Sequence, residues 1–519
     1  MQRFDFLRSN LERINVQVYL CLIIFIMTSA LLAVFSIKNP ANGDTFVYAN
    51  SIQTLNGPTY HMGYYALGFI IHSVFSKIGM DPLQTLTAMS VISGGIAVAG
   101  MYLLSYELTP SIPRSLTAAG ALLFSGWFWV FAEHGEVYVP QLAFELITLL
   151  AIMRGYPLIS SLFFIIAVSI TPTSCLLFPV LIYMLIEKKY DRRKMVLFAM
   201  PIFITIGIAT VFKHREIWEM VWSSIYSPTL FIHEITFMNI VSKILVDLSK
   251  VYVKGMNYFL ILALFGGVIL FLKEKKVFFQ MMVILLPFLL YIFNLGLLSG
   301  DHLLLTFVPL SVFVASGLNQ INTLVKNKIE LKTMVAVLLF TVYAGMSYNL
   351  LIAPMERDSV EMTRVIGQFE KIADQDSILV AEYTFGVAYW YLTKNEKNIF
   401  ILTGRPHDYV NKSCDNDIKC LHRLNQSYWI NMYHLPNYLK VEKELLKKIE
   451  KRTFYFADKK VYRSEFVKKY LPIKYWRNNE GAGFVSRVSK YLSEKLGANI
   501  SFAEEVESNT HPVYRLNRS

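Results

Sequence analysis

Charged side chains are scarce in this chain. Lys, Arg, Asp and Glu make up only 17% of its 519 residues, whereas hydrophobic residues make up 54%. A soluble globular chain carries roughly 25% charge, so the composition excludes a soluble enzyme. The apolar residues fall in runs long enough to cross a hydrocarbon layer, which takes about 20 residues as a helix. We therefore expect a polytopic membrane protein.

Acidic residues are fewer than basic ones, 38 against 50, which leaves a net charge of +12. The excess does not point to nucleic acid as a partner, because basic clusters alternate with apolar runs as the positive-inside rule requires. The clusters predict cytoplasmic loops and a cytoplasmic N-terminus; they lie at residues 187–194, 273–276 and 326–328 and at Arg3, Arg8 and Arg13.

The first apolar run, residues 16–37, is too long for the core of a signal peptide, and no convincing cleavage site follows it. We interpret it as a retained anchor. It opens a series of about eleven predicted spans, namely 16–37, 85–106, 115–131, 140–153, 158–171, 173–186, 195–212, 257–272, 277–293, 303–318 and 333–352. An odd number of spans places the C-terminal region outside. We expect a multi-pass protein of the plasma membrane.

No spanning run follows Pro354. Short apolar runs at 377–381, 398–402 and 453–456 predict strands, and 439–451 has helical periodicity. Alternating strands and helices are typical of an α/β domain. The predicted fold is therefore mainly α: a membrane helix bundle over residues 1–353, followed by a soluble extracytoplasmic α/β domain over residues 354–519.

Cysteine is also scarce, with four residues in the whole chain. Cys21 and Cys175 lie in apolar runs, where small side chains serve packing. Cys414 and Cys420 lie in the polar C-terminal region, where a disulfide and two free thiols are equally compatible with the sequence. Their spacing, with no second pair nearby, argues against a zinc site.

Acidic residues on the predicted outer side stand out against this background. Asp44 follows the first span, and Glu133, His134 and Glu136 follow the third. Two carboxylate loops and an imidazole suit a shared divalent cation; alternatively, one carboxylate deprotonates an acceptor hydroxyl. The simplest alternative is that these are solvated loop acids.

Three short motifs occur in order along this outer side: Gly43-Asp44, His61-Met62-Gly63-Tyr64 and Glu136-Val137-Tyr138. Together they resemble the GT-C glycosyltransferases, and most closely the branch of the protein O-mannosyltransferases. The chain departs from that pattern in two places. Met62 stands where the family has a Pro-Pro pair, and no Arg precedes Pro309, so that His302 is the nearest basic residue.

The resemblance implies an inverting transferase that uses a polyprenyl-phosphate-linked sugar at the outer membrane face. It implies catalytic roles for Asp44 and Glu136 and a protein, lipid or glycan acceptor. A divalent metal is the one candidate cofactor, with Asp44, Glu133 and His134 as ligands. The substrate-binding candidates are His61, Tyr64, His134, Tyr138 and His302, with Lys213, His214 and Arg215 as further phosphate-side candidates.

Other functions compete with the transferase. An ion-coupled transporter or a flippase for lipid-linked sugars usually has charged residues near mid-membrane and two related halves. Here Glu145 is the main charged residue inside a span, and no paired halves are visible. A glycan polymerase or ligase would use similar lipid-linked substrates. A receptor would tolerate replacement of Asp44 and Glu136.

Overall fold

A computed structural model of the chain describes residues 2–40, 43–54, 61–207, 249–295, 303–324, 329–374, 377–394, 399–402, 453–457, 500–508 and 513–518. The chain divides into two compact units. Residues 1–38 and 51–353 form the helical unit, and residues 39–50 and 354–519 form the sheet unit. The predicted first domain, residues 1–353, included residues 39–50, which here group with the sheet unit.

Helices dominate the described part of the chain. They are α1 (Gln2–Val34), α2 (Gly43–Thr54), α3 (Met62–Phe75), α4 (Pro82–Leu108), α5 (Ile112–Leu123), α6 (Gly126–Ala132), α7 (Tyr138–Met153), α8 (Pro157–Ile170), α9 (Phe178–Glu187), α10 (192–207), α11 (Phe259–Lys273), α12 (Lys275–Leu295), α13 (Phe307–Leu324), α14 (Ile329–Ser347), α15 (Ala353–Ile372) and α16 (Tyr383–Thr393).

Several of these helices are long and apolar enough to cross a membrane. Four qualify singly, Val16–Val34, Pro82–Leu108, Leu304–Ile321 and Lys332–Ile372, and the bent pair α5 and α6 makes a fifth. Shorter apolar helices are Tyr138–Met153, Pro157–Ile170, Pro172–Glu187 and Phe259–Lys273. The first span exposes large apolar side chains, among them Val18 and Met27, as expected of a face that meets lipid. The chain is a multi-pass membrane protein; the count of about eleven spans stays a prediction.

Three ion pairs join one end of the helical unit. Arg154 pairs with Glu107 at 2.8 Å, Arg114 with Glu274 at 2.7 Å, and Lys276 with Glu187 at 3.0 Å. Because Glu107 and Arg114 flank one short connection and Glu274 and Lys276 flank another, the three pairs form a continuous chain. The helix ends that the basic clusters assign to one side of the membrane therefore lie together.

The third predicted span, residues 115–131, is not one straight helix. It consists of α5 and α6, which meet at an angle of 67°. Ser125 stands at the break, where its hydroxyl donates to the Leu122 carbonyl at 2.8 Å. A Cβ atom at Gly126 would lie 2.5 Å from Leu351 and 3.1 Å from the Lys254 carbonyl oxygen. The bend thus lets the chain approach its neighbours closely at Gly126.

Helix α3 continues into a 3₁₀ turn at Ser76–Ile78. It buries Tyr64, Tyr65 and Gly68 against the unit. The opposite face carries exposed apolar side chains, including Phe69 and Ile70. This two-sided pattern is typical of a helix that lies in the membrane interface.

The sheet unit contains five described strands: β1 (Ile378–Glu382), β2 (Ile399–Leu402), β3 (Phe454–Ala457), β4 (Ile500–Val506) and β5 (Val513–Arg518). Their order in the sheet is β2-β1-β3-β5-β4. β1 pairs in parallel with β2 and β3, while β5 pairs antiparallel with β3 and β4. The first three strands lie within one residue of their predicted positions. The predicted helix at 439–451, Cys414 and Cys420 lie outside the described residues.

Candidate functional site

The centre of the candidate site is a buried turn between α6 and α7, residues 133–137, which we call the acidic turn. α6 ends where the Glu133 N–H donates to the Val130 carbonyl at 3.3 Å, and the Glu136 N–H donates to the His134 carbonyl at 2.8 Å. The Ile37 N–H, just beyond α1, donates to the Glu133 carbonyl at 2.9 Å. These backbone bonds hold the turn against the first span. Since α7 ends beside Arg154, the turn lies at the opposite end of α7 from the ion pairs.

The polar side chains of this turn are not solvated loop acids. Glu133 and His134 have 0% exposure and Glu136 has 1%. Burying a carboxylate away from water is costly unless other groups stabilise it. Their burial therefore argues against the simplest interpretation of the sequence and for a built polar site.

Helix α4 supplies a residue that the sequence did not single out. The Ser90 hydroxyl lies 3.3 Å from both the backbone nitrogen and the backbone oxygen of Glu136. It thereby clamps the backbone of the acidic turn to α4. A serine inside an apolar helix gives little signal in sequence, because most such residues bond within their own helix.

Helix α3 brings Tyr64 to the same place. Tyr64 is fully buried, and burial raises the pKa of its phenol well above the usual value. The nearby carboxylate of Glu136 raises this pKa further, followed by Tyr65. Two motifs far apart in the sequence, that of Tyr64 and that of Glu136, are thus neighbours in the helical unit. Tyr65, also buried, is a further residue that the sequence analysis missed.

His61 starts α3 and is held by its own hydrogen bond. Its Nδ1 atom lies 2.6 Å from the carbonyl oxygen of Ile170, the last residue of α8. A carbonyl cannot donate, so Nδ1 carries the proton and donates. Two residues on, a Cβ atom at Gly63 would lie 2.0 Å from the Ser169 hydroxyl oxygen. This part of the motif therefore seats α3 on the end of α8.

His134 differs from the other buried residues of the site. Neither of its ring nitrogens has a hydrogen-bond partner among the described residues. Burial lowers the pKa of its imidazole to about 4; the nearby Val130 carbonyl acts in the opposite direction without forming a bond of acceptable geometry. The ring lies 5.8 Å from that of Phe131, which also packs edge-on against Tyr138 at 5.4 Å. A neutral imidazole with unused nitrogens is ready to bond a polar ligand.

Asp44 belongs to the sheet unit and lies in the first turn of α2, not in the loop that the sequence predicted. It is half-buried, and its neighbours Thr45 and Phe46 are fully buried. Phe46 packs on Tyr391 of α16 with ring centroids 5.5 Å apart. A carboxylate in the first turn of a helix is favoured by the helix dipole. Its proximity to the acidic turn stays a prediction.

His302 lies outside the described residues, as do Lys213, His214 and Arg215. The metal-ligand set of Asp44, Glu133 and His134 gains no support. Over the described ranges, no group of three or more His, Cys, Asp or Glu side chains is arranged to hold a metal ion.

The described architecture combines a multi-helix membrane unit with a smaller sheet unit. No protein-family model matches the chain, and no curated protein matches its sequence. Among solved structures, the chain resembles ArnT from Cupriavidus metallidurans bound to undecaprenyl phosphate, with a TM-score of 0.50 and 10% identity over 97% of this chain and 98% of that one.

A second similar structure is the archaeal oligosaccharyltransferase AglB from Archaeoglobus fulgidus, in complex with an inhibitory peptide and a dolichol-phosphate. Its TM-score is 0.44, with 11% identity over 73% of this chain and 64% of that one. The full-length match shows that this chain shares the fold of ArnT, in agreement with the GT-C resemblance of the motifs. The O-mannosyltransferase branch stays a prediction.

Proposed function

We propose that this protein transfers a sugar from a polyprenyl-phosphate donor to an acceptor hydroxyl at the outer face of the membrane. The observation that carries the proposal is the acidic turn, where Glu136 and the unpartnered imidazole of His134 are buried beside Tyr64 in a GT-C fold. ArnT, which shares the fold, is described as bound to undecaprenyl phosphate. A lipid phosphate of that class suits a site at the end of a helix bundle.

The chemistry is a single displacement. The acceptor oxygen forms a bond to the anomeric carbon as the bond from that carbon to the phosphate oxygen breaks, which inverts the anomeric centre. The lipid phosphate leaves as an anion, so it needs hydrogen-bond donors or positive charge more than it needs a strong acid. The acceptor proton passes to a carboxylate, for which we propose Asp44.

The acidic turn orients the acceptor in this proposal. Glu136 accepts a hydrogen bond from an acceptor hydroxyl, and His134 bonds the acceptor through its ring. Tyr64 and Tyr138 line the sugar. His61 contacts the donor phosphate only through Nε2, because Ile170 holds Nδ1. His302 is the second phosphate contact that we propose.

The proposal is tested by supplying membranes with a labelled polyprenyl-phosphate monosaccharide and measuring label in a glycosidic product. Asp44→Asn should lower the rate by about 100-fold or more, the usual contribution of a positioned base. Asp81→Asn is the matched control, because Asp81 caps α4 and Asn also caps helices well. Equal rates for the parent and Asp44→Asn would remove Asp44 from the chemistry.

The orientation is tested separately by cysteine labelling. We propose that the N-terminus is cytoplasmic and that α3 lies outside, in the plasma membrane. Met62 is 50% exposed at the start of α3, and Lys188 follows α9. Met62→Cys should react with an impermeant maleimide added outside, and Lys188→Cys only after permeabilisation. The reverse pattern would contradict the site at the outer face.

A flippase for the same lipid is the second candidate, and one observation favours it. Glu145 is an ionisable residue with 1% exposure inside the apolar helix α7, a position that is often functional in transporters. Movement of the donor lipid between leaflets with no glycosidic product would favour the flippase. Transfer of a preassembled glycan, but not of a monosaccharide, would favour a ligase.

A further inference from the structure

Helix α7 carries a buried polar ladder below the acidic turn. Gln141, Glu145 and Thr148 lie four and three residues apart, so they share one face of the helix. Oε1 of Glu145 accepts hydrogen bonds from Nε2 of Gln141 and from the Ser174 hydroxyl, both at 2.8 Å. The same Gln141 amide lies 3.1 Å from the Thr173 hydroxyl oxygen. The Glu145 carboxyl is therefore tied to a second segment of the chain.

That segment is the break between α8 and α9. Pro172 lacks an N–H group and ends the run of α8, and residues Pro172–Leu177 form a 3₁₀ helix. Ser174 and Thr173 both lie in this short helix. The ladder of α7 bonds this irregular segment through its side chains, the hydroxyls of Thr173 and Ser174.

The same break seats α3. The carbonyl of Ile170 lies at the end of α8, where helical carbonyls lack an internal partner. It receives the Nδ1–H of His61, and the close approach of Gly63 to Ser169 adds a second contact one residue away. Thus the break is bonded on one side to Glu145 and on the other side to the first residues of α3.

We propose that Glu145 is a positioning residue. By holding the break between α8 and α9, at residues 170–174, it fixes the start of α3 and therefore the placement of Tyr64 beside Glu136. This inference rests on the proposed function, because it assigns Tyr64 and Glu136 to the active site. In this inference the buried carboxyl of Glu145 aligns the active site and takes no part in ion coupling. Glu145 touches neither the donor nor the acceptor in this scheme.

The residue type fits this role. One carboxyl oxygen accepts from two donors on different segments, which a hydroxyl or an apolar side chain at position 145 could not reproduce. Glutamine keeps a carbonyl oxygen at the same reach and can accept the same two bonds. Leucine keeps the volume and loses both bonds. The pair Glu145→Gln and Glu145→Leu therefore separates hydrogen bonding from packing.

The first measurement does not depend on activity. A parent variant carries serine at the four native cysteines together with Ile170→Cys, which keeps the backbone carbonyl that receives His61. Ile170 has 0% exposure, so a thiol there reacts with a maleimide only when the break opens. Glu145→Leu should speed this reaction about tenfold or more, since a tenfold change corresponds to loss of roughly one good hydrogen bond. Glu145→Gln should stay within about twofold.

Thr148→Val is the matched control. Its hydroxyl is buried on the same face but donates to the Phe144 carbonyl of its own helix at 2.8 Å. It should leave the labelling rate near that of the parent. No increase for Glu145→Leu, or an equal increase for Thr148→Val, would overturn the positioning role.

The second measurement uses donor transfer by the full chain. Glu145→Leu should lower kcat by about 10- to 100-fold, as expected when reacting groups shift by about 1 Å, with the donor KM little changed. Glu145→Gln should restore the rate. If Glu145→Gln is labelled at the same rate as the parent but no longer transfers the sugar, the charge of Glu145 itself acts. That result would overturn the inference. If the parent itself transfers no sugar, the proposed function is refuted. The labelling rates would still decide whether Glu145 holds the break.

Discussion

The acidic turn and the polar ladder of α7 are adjacent in sequence, equally buried, and used in opposite ways. In the ladder, Glu145 accepts from Gln141 and Ser174, so its buried oxygen is occupied by the protein. In the turn, both ring nitrogens of His134 lack a partner among the described residues although the ring is fully buried. A buried polar atom without a partner destabilises the fold by about 1–3 kcal/mol.

This difference separates a stabilising group from one kept for a ligand. The ladder resembles the interhelical polar contacts that hold membrane helices together, each worth about 0.6–2 kcal/mol. The imidazole of His134 instead keeps hydrogen-bonding capacity that no described residue uses. Unused capacity at a buried position is typical of a binding or catalytic site. Substitutions in the two places should therefore have opposite signs on stability.

The largest expected effect comes from Glu136→Gln. Gln keeps the size of Glu136 and the backbone bonds to Ser90, but removes the negative charge beside Tyr64. We expect the transfer rate to fall by about 100-fold or more, as for other positioned carboxylates, with a normal yield of folded protein in detergent. The rate is measured with the labelled polyprenyl-phosphate donor. A rate within twofold of the parent would place the acidic turn outside the active site.

The second effect tests the comparison directly. His134→Phe replaces the imidazole, which has no hydrogen-bond partner among the described residues, by an apolar ring beside Phe131. We expect the free energy of unfolding in detergent to rise by about 1 kcal/mol, while transfer falls by about 10- to 100-fold. Gln141→Leu in the ladder should lower stability instead. Destabilisation by His134→Phe would mean that the imidazole has a structural partner, and would remove the distinction between the two places.

Part of this arrangement is predictable from sequence. The strands near residues 378, 399 and 454 follow from apolar periodicity, and the fold shared with ArnT agrees with the GT-C resemblance carried by three short motifs. The burial of the acidic turn does not, because it depends on Ser90 of α4 and on Ile37, far away in the chain.

Local patterns also failed where a tertiary contact decides the backbone. The bend between α5 and α6 lies at the pair Ser125-Gly126, a sequence typical of kinks, which the analysis of the run 115–131 passed over because the close approach at Gly126 is a tertiary contact. The helix α2 was predicted as loop, since its apolar residues are buried by contacts distant in sequence, such as that of Phe46 with Tyr391. β4 and β5 were not predicted, because the carboxylates near the end of β4 interrupt its apolar pattern.

The third effect concerns the close contact between Gly63 of α3 and Ser169 of α8. At Gly63 a methyl group would lie 2.0 Å from the Ser169 hydroxyl oxygen and 2.7 Å from its backbone carbonyl carbon. Gly63→Ala should therefore push α3 from α8 and destabilise the protein by about 1–3 kcal/mol, the usual range for overpacking. Gly345→Ala is the control, because nothing lies within 4 Å of a Cβ atom there. Unchanged unfolding and transfer for Gly63→Ala would contradict a fixed seat for α3.

The smallest effect is the dependence of stability on pH that the imidazole of His134 contributes. The pKa of His134 is lowered to about 4 in the folded protein from 6.5. Between these values the unfolded chain binds more protons, so stability falls as the pH is lowered. From pH 7 to pH 5.5 the loss is about 1 kcal/mol. Unfolding in detergent across this range should depend less on pH in His134→Phe than in the parent, whereas Thr148→Val should follow the parent. Glu133 and Glu136 remain in both the parent and His134→Phe, so the difference between their pH slopes isolates the imidazole. Equal slopes would show that His134 is protonated as easily in the folded protein as in the unfolded chain.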